Sequence, residues 1–243
     1  MRVALVTGTA QGVGRAVAAR LHADGFTVVM ADIADERNRA AAAEIDGGAG
    51  RAEPVAVDLR DPEAAVALVG DAIARHGRLD VLVNNAAIAK GTPLWDVSVE
   101  EFDDVLATNL RSTFLLSRAA GTHMRERGSG RIVNLSSLSA QAARPSGIHY
   151  AASKAGIIAL TRVFAAELAR DGVTVNAIAP GVTNTPMVQA VPPDVLERLV
   201  ASIPVGRVCE PEEIAALVSF LVGEDAGFIT GATYDINGGV LMR

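Results

Sequence analysis

The sequence predicts an α/β fold, a doubly wound parallel sheet of about seven strands with helices on both faces. Short runs rich in Val, Ile and Leu alternate with Ala-rich helical runs along all 243 residues. The first six apolar runs lack clean alternation with polar residues, which is typical of strands covered on both faces. No Pro- or Ser-rich linker and no repeat of fixed period divides the chain, so we expect a single domain over residues 1–243.

The elements follow in order along the chain. We predict strands at residues 2–7, 27–32, 53–58, 80–84, 131–136, 173–179 and 233–236. We predict helices at residues 14–24, from 62, from 99 to about 127, at 150–170 and from 211. Two helix starts carry capping signals, because Asp61 precedes Pro62 and Ser98 stands three residues before Glu101. Parallel strands end at one shared edge, where ligands bind in such sheets.

Composition excludes several classes of protein. Half of the residues are hydrophobic, 21% are charged and the net charge is −6, so neither disorder nor nucleic-acid binding is expected. The single cysteine, Cys209, favours a cytoplasmic location. The apolar run at residues 3–6 is too short for a signal peptide, and prolines break the uncharged stretch at 172–193, so we expect no membrane partner. The four histidines show no metal-ligand spacing, so no metal is expected.

A glycine-rich turn follows the first strand and opens the first helix. Gly8, Gly12 and Gly14 would allow a tight turn, and the helix N-terminus would offer N–H donors to a pyrophosphate. The alternative is a plain Gly-rich turn, but the position directly after an N-terminal apolar strand favours a Rossmann-type dinucleotide site.

An acid ends the second predicted strand. Asp32 stands 18 residues after Gly14, where a carboxylate can accept hydrogen bonds from the adenosine ribose hydroxyls. The same charge repels a 2′-phosphate, so NAD is favoured over NADP. The alternative role, a helix cap, is fitted better by Asp35.

A tyrosine and a lysine stand four residues apart in a predicted helix. Tyr150 and Lys154 therefore share one helix face, in a chain with only two tyrosines and two lysines. A phenol has a pKa of about 10, and a nearby ammonium favours its ionised form. The pair is suited to proton transfer near neutral pH.

These ordered motifs identify the chain as similar to the short-chain dehydrogenase/reductase family, in its shorter single-domain form, over essentially the whole sequence. The resemblance implies a catalytic set of Asn109, Ser137, Tyr150 and Lys154. It implies that the cofactor is held by Gly8, Gln11, Gly12, Val13, Gly14, Asp32, Asp58, Leu59, Asn85, Ala86, Tyr150, Lys154, Pro180, Gly181, Val182 and Thr185. In that family the Tyr is the general acid/base, the Ser polarises the substrate oxygen, the Lys holds the nicotinamide ribose, and the Asn holds a water.

We therefore expect an NAD(H)-dependent oxidoreductase that interconverts a small secondary alcohol and a ketone. The alternative within the family is a 3-oxoacyl reductase acting on acyl carrier protein or CoA thioesters with NADPH. A non-catalytic NAD-sensing protein would be expected to lack the intact Tyr150–Lys154 pair, and a nucleotide-sugar epimerase would carry a second domain.

Two expectations concern larger features. Residues 182–206 are rich in proline and long for a connection, so we expect a substrate lid there. The two long helices carry apolar residues on more than one face, which favours self-association, and the family resemblance points to a homotetramer.

Overall fold

A computed structural model describes residues 1–142, 147–189 and 191–242, and its strands form one sheet. The strands are β1 (Val3–Thr7), β2 (Thr27–Asp32), β3 (Ala52–Ala56), β4 (Val81–Asn84), β5 (Gly130–Leu135), β6 (Val173–Pro180) and β7 (Thr233–Ile236). Their spatial order is β3-β2-β1-β4-β5-β6-β7, and every neighbouring pair is parallel. The predicted seven-stranded, doubly wound sheet is confirmed.

The helices cover both faces of this sheet. They are α1 (Gly12–Ala23), α2 (Asp35–Asp46), α3 (Pro62–His76), α4 (Val99–Leu106), α5 (Ser112–Arg127), α6 (Ile148–Leu168), α7 (Pro186–Gln189), α8 (Pro193–Ala201) and α9 (Pro211–Leu221). One apolar layer packs α1 and α9 against the sheet, and a second packs α3, α5 and α6 against the other face. Burial on both faces explains why the strands read as continuous apolar runs.

Two strands end earlier than predicted. The third strand, predicted at 53–58, ends at Ala56, because its neighbour β2 ends opposite it at Asp32. Asp58 therefore lies in the loop beyond the strand. The fifth strand ends at Leu135, and Ser136 still donates its N–H to the Ile178 carbonyl. Both differences place polar residues just beyond the carboxyl edge of the sheet.

The predicted helix starts are partly right. Asp61 accepts from the N–H groups of Glu63 and Ala64, and Ser98 accepts from that of Glu101, so both act as N-caps. Asp35 is not a cap: α2 begins at Asp35 itself, and Asp32 instead accepts from the Ala34 N–H.

The long helix predicted from 99 to 127 is not a continuous α-helix. A π-helical segment, Ala107–Arg111, separates α4 from α5, and the Ser112 N–H reaches back five residues to the Ala107 carbonyl. Such bulges frequently occur at functional sites. The other long helix begins at Ile148, two residues before the predicted start, and its α-helical part ends at Leu168.

No helix among the described residues is both long and apolar enough to cross a membrane. The segment predicted as a lid contains α7 and α8, while Ala190 within it lies outside the described residues.

Candidate active site

A cavity of about 780 Å³ opens at the carboxyl edge of the sheet. All of the sequence-predicted site residues line it except Gly14 and Asn109. The predicted residues on its wall are Gly8, Gln11, Gly12, Val13, Asp32, Asp58, Leu59, Asn85, Ala86, Ser137, Tyr150, Lys154, Pro180, Gly181, Val182 and Thr185. The fold thus brings segments from the ends of six strands, β1 to β6, into one space.

The glycine-rich turn forms one end of the cavity, and two of its glycines adopt a left-handed backbone. Gly8 has a φ of 75° and Gly12 a φ of 58°, conformations that other residues rarely adopt. Gly14 is buried behind the turn, where a Cβ would collide with the Gly8 carbonyl and come within 2.5 Å of Asn85 Nδ2. Asn85 Nδ2 donates to the carbonyls of Thr7 and Gly8, at 2.9 and 3.2 Å, and so fixes the turn to the end of β4.

Two carboxylates stand beside this turn. Asp32 Oδ2 accepts from the Ala10 N–H and Oδ1 from the Ala34 N–H, both at 2.9 Å, so backbone donors hold the side chain at the cavity wall. Asp58 forms an ion pair with Arg60, whose hydrogen bonds lower the pKa of the Asp58 carboxyl. Arg60 also lines the cavity and was not predicted, because only the chain path after β3 aims it there.

The other end of the cavity contains Ser137, Tyr150 and Lys154. Ser137 caps a short 3₁₀ turn, Leu138–Ala140, and its Oγ accepts from the Ser139 N–H at 3.1 Å. That bond uses a lone pair of the hydroxyl and leaves its hydrogen able to reach a substrate oxygen. Tyr150 and Lys154 lie one turn apart on α6, with Lys154 Nζ 5.6 Å from the centre of the phenol ring.

Lys154 is buried, with 2% of its surface exposed. Its Nζ donates to the Leu135 carbonyl at 2.7 Å, while the Lys154 carbonyl accepts from Ser136 Oγ at 2.8 Å. Two hydrogen bonds therefore join the end of β5 to α6 at Lys154. Burial lowers the pKa of the Lys154 ammonium to about 7, because desolvation disfavours the charged form.

Asn109 lies in the π-helical segment behind the cavity wall and is fully buried. Its Oδ1 accepts from the Ile88 N–H, and its Nδ2 donates to the Ile88 carbonyl and to Ser153 Oγ, at 2.9 to 3.1 Å. Both side-chain N–H donors are therefore used within the protein. The adjacent Thr108 lines the cavity, and its Oγ1 has no hydrogen-bond partner within the described residues.

The structure does not describe residues 143–146, which include Arg144, or the side chain of Met187. Within the ranges that are described, no group of three or more His, Cys, Asp or Glu side chains could hold a metal ion.

The residues present fit a dinucleotide. Gln11 precedes α1 without capping it through its side chain, so the first-turn N–H groups lack that partner and remain able to bind a pyrophosphate. Asp32 lies on the cavity wall, where its carboxylate can accept from ribose hydroxyls. The residues that would hold the group are thus backbone donors at one end and Lys154 at the other.

A family model and several known proteins match this chain over almost its whole length. The family described as "Enoyl-(Acyl carrier protein) reductase" matches residues 8–241. An acetoacetyl-CoA reductase of Rhizobium meliloti (strain 1021) is 44% identical over 240 residues, which cover 98% of each chain. A 2-dehydro-3-deoxy-L-rhamnonate dehydrogenase (NAD(+)) of Sphingomonas sp. (strain SKA58) is 38% identical, covering 98% of this chain and 94% of the relative.

A solved structure from Sinorhizobium meliloti 1021, described as a short-chain alcohol dehydrogenase, superposes with a TM-score of 0.94. It is 35% identical, and the match covers 98% of this chain and 96% of that one. Similarity of this extent reaches from the glycine-rich turn to the last strand. The chain therefore belongs to the short-chain dehydrogenase/reductase family and is an oxidoreductase that acts on CH–OH groups.

Proposed function

We propose that the protein interconverts a secondary alcohol and a ketone with NAD(H), using Tyr150 as the general acid/base. The observation that carries this proposal is the pairing of Tyr150 with the buried Lys154 on the wall of a cavity whose opposite end presents Asp32. A bound nicotinamide cofactor supplies the hydride acceptor for alcohol oxidation. The protein's own groups supply the proton transfer and the orientation.

In the oxidation direction, Tyr150 accepts the hydroxyl proton of the alcohol as the carbonyl forms. Ser137 donates a hydrogen bond to the same oxygen and fixes its position. The positive charge on Lys154, when present, favours the ionised phenol beside it. Reduction uses the same groups in reverse, with Tyr150 as the acid.

Asn109 keeps a supporting role in this proposal. Because both of its side-chain N–H donors are used, a relay water would bind at its carbonyl groups rather than at Nδ2. The side chain also holds Ile88, which lines the cavity, through both backbone groups. Asn109 thus joins the π-helical segment to Ile88 on the cavity wall.

The choice of NAD over NADP rests on Asp32. Its carboxylate lines the cavity, where it would accept from ribose hydroxyls and repel a 2′-phosphate. Arg37 lines the same end, but its guanidinium donates to Gln11 Oε1 at 3.2 Å. A relative whose name specifies NAD(+) is consistent with this preference.

A second candidate is a 3-oxoacyl thioester reductase that acts on CoA or acyl carrier protein substrates with NADPH. The acetoacetyl-CoA reductase at 44% identity favours it. The described wall around Tyr150 also suits an acyl chain, since it is largely apolar and includes Ile88, Leu138, Val182, Val188 and Leu199.

A matrix of substrates and cofactors tests the proposal and separates the two candidates. Secondary alcohols, sugar acids and 3-hydroxyacyl-CoA thioesters are each assayed with NAD and NADP, following reduced cofactor by fluorescence. Turnover of secondary alcohols with NAD at higher kcat/KM than with NADP supports the proposal. Turnover confined to acyl thioesters with NADP would favour the second candidate.

Three broader predictions remain part of this proposal. Exposed apolar side chains such as Val163 and Phe228 favour a homotetramer, in which partner subunits would cover them. Val188 and Leu199 line the cavity, which favours closure of the segment 182–206 over the substrate. The cytoplasmic location continues to rest on cysteine content.

A further inference from the structure

The first turn of α6, which carries Tyr150, is capped by the side chain of a residue that belongs to the helix itself. Gly147 precedes the helix and has no side chain to cap it. The Tyr150 N–H is one of the first-turn donors that have no partner inside a helix. The ring of the preceding residue supplies that partner, since His149 Nδ1 accepts from the Tyr150 N–H at 2.9 Å.

A carboxylate on a different helix fixes this ring. His149 is fully buried, and its Nε2 lies 2.7 Å from Glu101 Oε1 on α4. Because Nδ1 accepts a hydrogen bond, Nε2 carries the proton and donates to the carboxylate. Hydrogen bonds from Thr92 and His149 lower the pKa of Glu101, so the carboxylate stays ionised near neutral pH.

The same carboxylate holds the segment that follows β4. Glu101 Oε1 accepts from Thr92 Oγ1 at 2.5 Å, and Lys90 Nζ lies 3.8 Å from Oε2. The Thr92 carbonyl in turn accepts from the Gly147 N–H at 3.1 Å. Residues 88–92 are therefore fastened to the start of α6 at one end and to Asn109 at the other.

We propose that Glu101 and His149 are positioning residues for the reaction: the carboxylate orients the imidazole, and the imidazole fixes the backbone of Tyr150 and hence its phenol. This inference rests on the proposed function, because it takes Tyr150 as the general acid/base. Neither side chain is among the described residues that line the cavity, so both act through Tyr150 rather than on the substrate.

Three substitutions at His149 separate its two hydrogen bonds. His149→Asn places an amide oxygen near the position of Nδ1, so it keeps an acceptor for the Tyr150 N–H and loses the reach to Glu101. His149→Gln has a longer side chain that can still reach Glu101, but it loses the acceptor for the Tyr150 N–H. His149→Leu removes both interactions. Glu101→Ala removes the carboxylate from a partly exposed position, and Glu100→Gln, an exposed acid in the same turn, is the matched control.

Each variant is assayed for kcat, for substrate KM and for NADH dissociation by fluorescence. We expect His149→Leu and Glu101→Ala to lower kcat about tenfold or more, because a small displacement of a catalytic group slows the chemical step. The NADH dissociation constant should stay within about twofold of the parent value, since the adenosine end is untouched. His149→Asn should recover most of the lost kcat, and Glu100→Gln should match the parent.

A parent-like kcat in both His149→Leu and Glu101→Ala would overturn the inference. Equal loss of kcat and of NADH binding in every His149 variant, with no rescue by Asn, would also overturn it by showing a general structural role. Tyr150→Phe is measured in parallel. If that variant keeps parental turnover, the proposed function itself fails; if it is inactive while His149→Leu is fully active, only the positioning role fails.

Discussion

The two ends of the cavity are built from different kinds of groups. At the glycine-rich end, backbone N–H groups and partly exposed carboxylates face the cavity, and the side chains of Asp58 and Arg60 remain 37% and 48% exposed. At the Tyr150 end, Lys154 is almost wholly buried and is held by the end of β5. Water screens the first set of charges, whereas burial controls the protonation of the second. Substitutions at the two ends should therefore have effects of different size and kind.

The largest effect is expected at the phenol. Tyr150→Phe removes the proton-transfer group, and general acid/base catalysis contributes about 10²- to 10⁴-fold to rate, so kcat should fall by about that factor. NADH should still bind, which fluorescence titration measures. Tyr234→Phe, at the second tyrosine of the chain, is the matched control and should keep parental turnover. Turnover by Tyr150→Phe within tenfold of the parent would remove Tyr150 from the mechanism.

The next effect should appear at the opposite end of the cavity, in the choice of cofactor. Asp32→Ala removes a charged hydrogen-bond acceptor, so the kcat/KM ratio of NAD to NADP should fall about 10- to 100-fold. Asp35→Ala, three residues along the chain, serves as the control. Steady-state kinetics with both cofactors measures the ratio, and an unchanged ratio would place cofactor selection on other residues.

The burial of Lys154 should appear as a pH dependence of stability. Its pKa is about 7 in the folded protein and about 10.5 when solvated, so between these values the unfolded chain binds more protons than the folded one. The free energy of unfolding should therefore rise with pH in this window, by at most about 1.4 kcal/mol per pH unit from this group.

Urea denaturation of the cofactor-free protein at pH 7.5, 8.5 and 9.5 measures this contribution. Lys154→Met should flatten the rise, whereas Lys90→Met should leave it unchanged, because the Lys90 side chain is 47% exposed. Parallel slopes in the parent and in Lys154→Met would contradict the assigned burial effect.

The smallest effect is expected at the exposed ion pair of the glycine-rich end. Arg60→Met leaves Asp58 in contact with water, and exposed pairs contribute little, so KM for NAD should change by less than about threefold. The measurement is repeated at low and high salt, because screening should reduce even this difference. A change above tenfold would mean that Arg60 contacts the cofactor directly.

The order of the strands and of the five predicted helical segments followed from local signals, whereas the helix α2 was not among the predicted helices. The apolar runs follow from burial on both faces, and the Asp61 cap follows from side-chain chemistry within one turn. The predicted ends of the strands were less accurate. Strand β3 stops at Ala56 because the neighbouring strand β2 ends opposite this residue, at Asp32. A strand boundary depends on its partner's length, which the local sequence does not contain.

For the candidate site, the sequence by itself determined which chemical groups are available and which strand ends carry them. Gly8 and Asp32 were identifiable because they stand at the ends of predicted strands, and Tyr150 and Lys154 because they stand four residues apart in a predicted helix. Their catalytic and binding roles stay predictions. The motifs were enough to place these residues in the fold, because each motif lies at the end of a strand or near the start of a helix.

Only the tertiary structure decided how these groups are held. Glu101 belongs by sequence to a capping pattern with Ser98, yet its side chain binds Thr92 and His149, which approach from other parts of the chain. The π-helical segment and the burial of Lys154 likewise depend on how α4, α5 and α6 pack. The physical reason is that burial and hydrogen-bond partners arise from contacts between segments far apart in the chain, while the sequence pattern reports only neighbours within a turn or a strand.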